Sequence, residues 1–301
     1  MKIISVVPRG YCKGVYRAIK IAKETAIKYP NENISMLGML VHNKYVVKAC
    51  ELYHINCIED KQKNREELLD EIDNGVVIFT AHGVSEKVKQ KARAKNLIIV
   101  DATCEDVAKT HNIILEHIKN GDVIYIGKKN HPEAQGSCDL SDNVHLVSNI
   151  EDIDALNDLH NVLITNQTTM SILEIQTLID HILKKYPDAK VVDEICNATR
   201  IRQQAIINLK DVDCLIVVGD PNSNNSLKLK EIAKNHIKKI YMVECANELE
   251  EEMFENVETI AITSGASTPT YLTEQVIQTI KEYDNTKVLK KDPIDIDQIL
   301  D

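Results

Sequence analysis

The stretch Leu97-Ile-Ile-Val-Asp-Ala-Thr-Cys104 is a short, branched apolar run that ends at a cysteine. Two similar runs end at cysteines elsewhere in the chain. They are Lys2-Ile-Ile-Ser-Val-Val before Cys12 and Lys190-Val-Val-Asp-Glu-Ile before Cys196. Runs of this length and composition predict buried β-strands. Because positions 12, 104 and 196 are equally spaced, the sequence predicts a threefold internal repeat with a thiol at the same place in each copy.

Each of these cysteines also precedes a helical pattern. After Cys12, for example, apolar residues recur at Val15, Ala18, Ile19 and Ala22. The cysteines are therefore predicted to lie where the carboxyl end of a strand meets the amino end of a helix. Unpaired backbone N–H groups and the positive end of the helix dipole favour a thiolate at such a position, and the thiolate is the form that binds metal.

The rest of the chain alternates between short apolar runs and helical patterns, with four runs in each repeat. This alternation predicts an α/β fold with small, mainly parallel sheets covered by helices on both faces. We expect three α/β domains related by a pseudo-threefold axis. Their predicted bounds are 1–103, 104–195 and 196–284, followed by a C-terminal tail, 285–301; the segment 1–13 is also compatible with the third domain.

Composition and charge argue against several classes of function. The 301 residues carry a formal net charge of −10, with no basic stripe, which disfavours nucleic acid and anionic membranes as partners. The chain begins Met1-Lys2-Ile3 and runs directly into a predicted strand, and no stretch approaches the roughly 18 apolar residues of a membrane span. Eight cysteines without a CxxC motif suit a reducing compartment, so a cytoplasmic protein is expected.

Polar side chains follow other predicted strands at matching distances from the cysteines. They are His42, His82, His131, Thr168, Ser223, Asn224, Asn225 and Ser267. Several precede a predicted helix, whose amino end binds anions. Because they offer many hydrogen-bond donors and little fixed positive charge, they predict a phosphate or diphosphate site with histidine protonation tunable near neutral pH.

Glu133 is the one carboxylate inside these loop motifs. Next to a bound anion and a dry metal centre its pKa is expected to rise, which makes it a candidate proton donor. The alternative is an acid in the first turn of a helix, favoured by the helix dipole.

Three equivalent thiolates allow two metal centres. Zinc would add His42, His82 or His131 as a fourth ligand and form a closed structural site. A four-iron cluster held by three cysteines would leave one iron open to substrate. Three histidine loops would oversupply a closed zinc site, which favours the cluster. The remaining alternative is three buried structural cysteines.

At these residues the sequence resembles the 4-hydroxy-3-methylbut-2-enyl diphosphate reductase family. The matching motifs occur in a consistent order between residues 8 and 269. They are Pro8-Arg-Gly-Tyr-Cys-Lys-Gly-Val, Val41-His-Asn, Ala81-His-Gly-Val-Ser, Asp101-Ala-Thr-Cys, His131-Pro-Glu, Asn166-Gln-Thr-Thr-Met-Ser, Ile195-Cys-Asn-Ala-Thr with Arg202-Gln203, and Ser264-Gly-Ala-Ser-Thr-Pro.

The resemblance implies a trefoil of three domains around one 4Fe-4S cluster per chain. Cys12, Cys104 and Cys196 would ligate the cluster, and the substrate's hydroxyl would bind its open iron. The residues implied to hold the diphosphate are His42, His82, His131, Ser223, Asn225 and Ser267. Glu133 and Thr168 would relay protons during a two-electron reductive dehydroxylation that gives isopentenyl and dimethylallyl diphosphates. A ferredoxin or flavodoxin would supply the electrons.

Some features depart from the resemblance or leave rivals open. Asn224 stands where many members of the family have serine, and its amide is expected to keep binding the diphosphate in altered detail. The tail 285–301 carries no motif. The resemblance implies a tail that packs back over the other domains, but its polar composition is equally typical of a flexible end. Two alternative functions remain: a quinolinate-synthase-like cluster enzyme, which also has three domains with one cysteine each, and a non-catalytic iron–sulfur or zinc-binding protein.

Overall fold

The computed structural model describes residues 1–60 and 62–301. In these residues strands and helices alternate along the chain, as the sequence predicts. The strands are β1 Lys2–Ser5, β2 Ile34–Leu37, β3 Ile55–Ile58, β4 Val76–Phe79, β5 Ile98–Asp101, β6 Val123–Ile126, β7 Val144–Val147, β8 Leu163–Asn166, β9 Lys190–Val191, β10 Cys214–Val218, β11 Lys239–Val243 and β12 Thr259–Ser264.

The helices connect consecutive strands and follow the last one. They are α1 Lys13–Lys28, α2 Lys44–Glu51, α3 Arg65–Leu68, α4 Glu86–Ala94, α5 Glu105–His117, α6 Pro132–Cys138, α7 Ile150–Asp154, α8 Ile172–Lys185, α9 Asn197–Ile207, α10 Asn224–Ala233 and α11 Thr270–Thr286. Short 3₁₀ turns span Leu69–Glu71, Ala246–Glu248, Glu251–Phe254 and Ile296–Gln298.

The strands form three four-stranded sheets, and every described strand pair is parallel. Their strand orders are β1-β12-β10-β11, β3-β2-β4-β5 and β7-β6-β8-β9. In each sheet the strand that precedes a candidate cysteine, β1, β5 or β9, lies at one edge. These three strands are partly exposed, so the burial predicted for them from their apolar runs is wrong. The predicted α/β class with three small parallel sheets is nevertheless confirmed.

Contacts divide the chain into two compact units. Unit 1 comprises Met1–Tyr16, His42–Ala49 and Asn197–Asp301, and it contains the sheet in which β1 pairs with β12. Unit 2 comprises Arg17–Val41 and Cys50–Cys196 and contains the other two sheets. The domain bounds expected from the sequence remain predictions.

Apolar cores on both faces explain why the strands read as continuous hydrophobic runs. In β10, Ile216 and Val218 belong to one apolar cluster, while Leu215 and Val217 belong to another. Alternate side chains of a strand point to opposite faces, so both faces of this sheet are packed. The central strands of the other sheets, β2, β4, β6 and β8, are likewise fully buried.

The strand predicted to reach Cys196 is shorter than its apolar composition indicates. Strand β9 ends at Val191. The N–H of Val192 still donates to the carbonyl of Ile164 at 2.9 Å, but the N–H groups of Glu194 and Ile195 bond to side chains. The N–H of Glu194 donates to Asn166 Oδ1 at 3.1 Å, and the N–H of Ile195 donates to Asp193 Oδ1 at 2.9 Å. Side-chain acceptors of this kind compete with the strand ladder, so the segment leading to Cys196 is a loop.

The C-terminal tail is packed at its end, so of the two expectations for it, a packed tail and a flexible end, the structure favours the packed one. Ile299 and Leu300 are buried, and the backbone carbonyl of Ile299 accepts a hydrogen bond from the Tyr11 hydroxyl at 2.7 Å. The N–H of Asp295 also donates to the hydroxyl of Tyr271 at 3.1 Å. Two apolar side chains among polar neighbours gave too weak a sequence signal for this packing to be predicted.

We expect Ile299→Ala to lower the free energy of unfolding by about 2–5 kcal/mol, the usual cost of truncating a fully buried isoleucine. Urea unfolding followed by circular dichroism measures the change. Val288→Ala is a matched control because Val288 is 58% exposed, and we expect a change within about 0.5 kcal/mol. Equal midpoints for Ile299→Ala and the wild type would contradict the packing of the tail.

Candidate functional site

The three repeat cysteines lie at strand–helix junctions, as the sequence predicts. Cys12 directly precedes α1, Cys104 caps the amino end of α5, and Cys196 directly precedes α9. Each backbone N–H donates to a carbonyl in the loop after the neighbouring strand. The acceptors are Ala266 for Cys12 at 3.1 Å, Ala81 for Cys104 at 3.0 Å and Thr168 for Cys196 at 3.1 Å. The three junctions therefore share one backbone design.

The junction environment suits a sulfur ligand. The Sγ atom of Cys12 accepts the N–H of Val15 at 3.4 Å, so the first turn of α1 faces the sulfur. At Cys104, in contrast, Sγ donates to Asp106 Oδ2 at 3.9 Å, which is a contact of the protonated thiol and does not itself favour a thiolate. All three side chains are partly exposed, and no disulfide joins any of the chain's cysteines in the residues that the structure describes.

Most of the other cysteines have a different environment. Burial raises the pKa of Cys50, Cys57, Cys138 and Cys214 to about 12, so these side chains are neutral thiols at physiological pH. A neutral thiol is a poor metal ligand. The chemistry of the donor set thus fits a thiolate-bound group at Cys12, Cys104 and Cys196 rather than at these four.

Two of the predicted imidazoles meet in unit 2. The rings of His82 and His131 are edge to face, with centroids 5.5 Å apart and an angle of 81° between their planes. His131 caps α6, and its Nδ1 accepts the N–H of Glu133 at 3.2 Å. In the neutral ring, Nε2 of His131 therefore carries the proton and can donate to an anion.

Glu133 lies in the first turn of α6 and is almost fully buried. Its Oε1 accepts the N–H of Thr168 at 2.7 Å. Burial raises the pKa of Glu133 to about 7, although hydrogen bonds from Thr168 act in the opposite direction. The raised pKa expected from the sequence is confirmed, and its main cause is loss of water around the carboxyl group.

A second polar group lies in unit 1. Ser223 caps α10, and its hydroxyl lies 3.1 Å from that of Ser267. The hydroxyl of Ser267 also donates to the backbone carbonyl of His42 at 3.3 Å. His42 itself comes just before Asn43, whose side chain accepts the first N–H groups of α2. The two serines and the histidine backbone thus form one hydrogen-bonded group.

Asn224 and Asn225, the two residues after Ser223, have different surroundings. Asn224 is buried in the first turn of α10. The side chain of Asn225 is engaged within the protein: Oδ1 accepts the N–H of Ala266 at 2.9 Å, and Nδ2 donates to Thr199 Oγ1 at 3.2 Å. These contacts use one of the two amide hydrogens of Asn225 and hold the side chain against the loop that precedes Ser267.

The spacing from the repeat cysteines aligns Thr168 with His82 and Ser267, as residues of the loop after the fourth strand of each repeat, and the strand register corrects this alignment. In the paired strands, Phe79, Asn166 and Ser264 occupy equivalent last positions. His82 and Ser267 come three residues later, where the second sheet has Thr169. The carbonyl of Thr168 instead matches those of Ala81 and Ala266, which accept the cysteine N–H groups. Thr169, rather than Thr168, is therefore the structural counterpart of His82 and Ser267.

No role was predicted for Thr199 and Arg202, which lie in α9 and are both buried. The available signal was their position: both fall in or beside a motif that follows Cys196.

The helices that the structure describes include none with the length and apolar composition of a membrane span.

Parallel sheets with thiols and hydrogen-bonding groups at their strand ends, together with a buried carboxyl group of pKa about 7, are typical of an α/β enzyme. The chain belongs to the LytB protein family, whose model matches residues 3–281.

Relatives and solved structures of high similarity carry one name. The chain is 47% identical over 292 residues to the 4-hydroxy-3-methylbut-2-enyl diphosphate reductase of Bacillus cytotoxicus, covering 95% of this chain and 92% of that protein. The corresponding reductase of Halalkalibacterium halodurans is 43% identical over 294 residues, covering 95% and 93%. The Plasmodium falciparum E-1-hydroxy-2-methyl-but-2-enyl-4-diphosphate reductase structure superposes with a TM-score of 0.86 at 33% identity, covering 92% of this chain and 87% of that one.

A second solved structure, an (E)-4-hydroxy-3-methyl-but-2-enyl diphosphate reductase described as the terminal enzyme of the non-mevalonate pathway, has a TM-score of 0.64 at 32% identity. It covers 94% of this chain and 100% of that chain. These comparisons favour the reductase family over the quinolinate-synthase-like alternative.

Proposed function

We propose that this chain reduces (E)-4-hydroxy-3-methylbut-2-enyl diphosphate to isopentenyl diphosphate and dimethylallyl diphosphate. The observation that carries the proposal is the buried Glu133 carboxyl, held by the Thr168 N–H and with a pKa of about 7. Such a group is protonated in part of the molecules at neutral pH, as a proton donor to a leaving hydroxyl must be. The family's relatives support the choice of substrate.

The group we propose at the repeat cysteines is one 4Fe-4S cluster per chain, ligated by Cys12, Cys104 and Cys196. The shared backbone design of the three junctions and the Val15 N–H donated to Cys12 Sγ support this assignment. When bound through three cysteines, such a cluster supplies electrons and leaves one iron accessible to a substrate oxygen. A ferredoxin or flavodoxin is the proposed electron donor.

The substrate's diphosphate is assigned to two hydrogen-bonding groups. In unit 2, His82 and His131 offer imidazole donors, and Nε2 of His131 is the protonated nitrogen. In unit 1, Ser223 and Ser267 offer hydroxyls; His42, Asn224 and Asn225 complete the proposed set. Neutral donors of this kind bind an anion by directed hydrogen bonds and not by fixed positive charge.

The overall reaction consumes two electrons and two protons. One proton converts the departing hydroxyl into water as the C–O bond breaks, and Glu133 is the proposed source, with Thr168 orienting its carboxyl group. The electron pair of the broken C–O bond leaves with the water. The two electrons from the reductant go to the allylic carbon skeleton, which takes up the second proton to form a C–H bond. Protonation at one or the other end of that skeleton gives the two isomeric products.

Anaerobic purification tests the proposal directly. We expect about four irons and four acid-labile sulfides per chain, a visible spectrum that changes when the substrate is added, and product formation with a chemical reductant. Zinc or no metal in freshly isolated protein would exclude the cluster. Activity on dihydroxyacetone phosphate with iminoaspartate, and none on the hydroxymethylbutenyl diphosphate, would favour the quinolinate-synthase-like alternative.

The pH dependence follows from the raised pKa of Glu133. A general acid works only when protonated, so we expect kcat to be highest below about pH 7 and to fall about tenfold per pH unit above it. The measurement is kcat between pH 6 and 9 with a reductant whose potential is held constant. A flat profile over this range would contradict the assignment of Glu133.

A cytoplasmic location stays a prediction based on the eight unpaired cysteines expected in a reducing compartment. Fractionation of cells that express the protein would test it.

A further inference from the structure

The loop that carries Cys12 is held tightly by unit 1. The N–H of Gly10 donates to Ser264 Oγ at 2.7 Å, and the N–H of Cys12 donates to the Ala266 carbonyl at 3.1 Å. Gly10 has a φ of +73°, and a Cβ atom at this position would lie 2.4 Å from Thr270 Oγ1. The backbone of this loop therefore has little freedom to move. A further bond to the loop, at the carbonyl of Gly10, also restricts the position of Cys12.

Arg202 supplies a bond from another element to this loop. Its side chain projects from α9 and is only 3% exposed. Nη2 donates to the carbonyl of Gly10 at 2.8 Å, while Nη1 donates to the carbonyl of Ala198 at 3.0 Å. One planar guanidinium thus ties the loop before Cys12 to the first turn of α9, the helix that begins immediately after Cys196.

We propose that Arg202 is a positioning residue that fixes the loop of Cys12 through these two carbonyls. The guanidinium presents its donors in a rigid fork, so one side chain can bridge two acceptors with a fixed separation. A lysine at this position keeps the charge but concentrates its donors at one atom. The consequence for a bound cluster rests on the proposed function, because only there is Cys12 a ligand.

Arg9 provides a matched control in the same loop. It forms an ion pair with Glu274 at 2.7 Å, but the two side chains are 23% and 50% exposed. Exposed pairs of this kind contribute little to stability. Removing Arg9 deletes a guanidinium one residue from Gly10 without deleting a buried bridge, so it separates loss of charge from loss of positioning.

The first test is alkylation of the full-length, metal-free chain with iodoacetamide, followed by peptide mass mapping. In Arg202→Gln we expect Cys12 to react at least about tenfold faster than in the wild type, because hydrogen bonds from a charged group to a buried acceptor are lost. Cys104 lies in the other unit and reports global unfolding, so its rate should not change. Arg202→Lys should give an intermediate acceleration at Cys12, and Arg9→Gln should stay within about twofold, as expected for an exposed pair.

The second test uses anaerobically reconstituted protein. Arg202→Lys should lose iron to a chelator faster than the wild type and show a lower kcat with an unchanged KM, since the proposed diphosphate residues are intact. If Arg202 only stabilised the fold, its replacement would not lower kcat selectively at an unchanged KM. It would also accelerate the alkylation of Cys12 and Cys104 alike. Equal acceleration at both cysteines, or none at Cys12, would overturn the proposal.

The role of Arg202 can be measured even if Arg202→Gln does not fold or the wild-type chain binds no iron. If Arg202→Gln lacks a native circular dichroism spectrum, Arg202→Lys decides by the same comparison of Cys12 with Cys104. If the wild-type chain binds no iron, the proposed function fails, while alkylation of the metal-free protein still decides whether Arg202 holds the Cys12 loop.

Discussion

Glu133→Gln is expected to turn over the hydroxymethylbutenyl diphosphate about 10² to 10⁴ times more slowly than the wild type, the loss that follows removal of a general acid. The amide keeps the size of the side chain and an oxygen that accepts the Thr168 N–H, but it has no carboxyl proton to donate. Iron content and KM should therefore stay close to the wild-type values. Steady-state kinetics with an excess of chemical reductant measure the effect.

Glu151→Gln is the matched control for the alternative that Glu133 is only a first-turn acid. Glu151 lies in the first turn of α7, is exposed and belongs to the same unit. Its replacement is expected to leave kcat unchanged. Similar kcat values for Glu133→Gln and the wild type would remove Glu133 from the mechanism.

The stability of Glu133→Gln should move in the opposite direction to its activity. The pKa of Glu133 is about 7 in the folded protein against an ordinary value of 4.5, so between these values the folded state binds more protons than the unfolded state. Stability of the wild type therefore falls as the pH rises from about 4.5 to about 7. The glutamine cannot ionise, and the variant should unfold at a higher urea concentration than the wild type at pH 8, with the difference absent at pH 4.

Cys104→Ser is expected to cause the second large loss. Replacing a residue that only hydrogen-bonds to a metal ligand already lowers metal affinity or activity about 10- to 100-fold. Removing the ligand itself should cost at least as much. We expect iron retained after desalting to fall at least tenfold, with turnover at background level. Iron and acid-labile sulfide analysis of the anaerobic protein measures this effect.

Cys138→Ser separates the role of Cys104 from a general need for thiols. Both cysteines lie in unit 2, but burial raises the pKa of Cys138 to about 12, which makes it a neutral core thiol. Its replacement should leave the iron content per chain unchanged. Normal iron content in Cys104→Ser, or an equal loss in both variants, would contradict the assignment of Cys104 as a ligand.

The sequence predicted the features that depend on local pattern. Branched apolar runs gave the three parallel sheets, since both faces of each sheet are buried and the runs are continuous. The positions of Cys12, Cys104 and Cys196 followed from the change between strand and helix spacing. The raised pKa of Glu133 was predicted from a neighbouring anion and a dry metal centre, whereas its main cause in the structure is burial of the carboxyl group.

The features that the sequence did not predict depend on contacts between distant residues. The motif that follows Cys196 marks Arg202 as a residue of interest, but arginine at a helical position is usually exposed, so nothing in the local pattern indicated its buried bond to Gly10. The end of β9 depends on the Asn166 side chain, which lies far away in sequence. The counterpart of His82 was placed one residue too early, at Thr168, because loop lengths differ between repeats and only strand register aligns them.

The pairing of β1 with β12 also has a consequence for the order of events during synthesis. Lys2 pairs with Thr259, so the strand that leads to Cys12 has no partner until most of the chain has left the ribosome. At about 5–20 residues per second, the first strand waits on the order of ten seconds or more. Cys12 is thus among the first side chains to be made and the last of the three repeat cysteines to reach its folded position. Any group that needs all three thiols is therefore inserted only after β12, the partner of β1, has been translated.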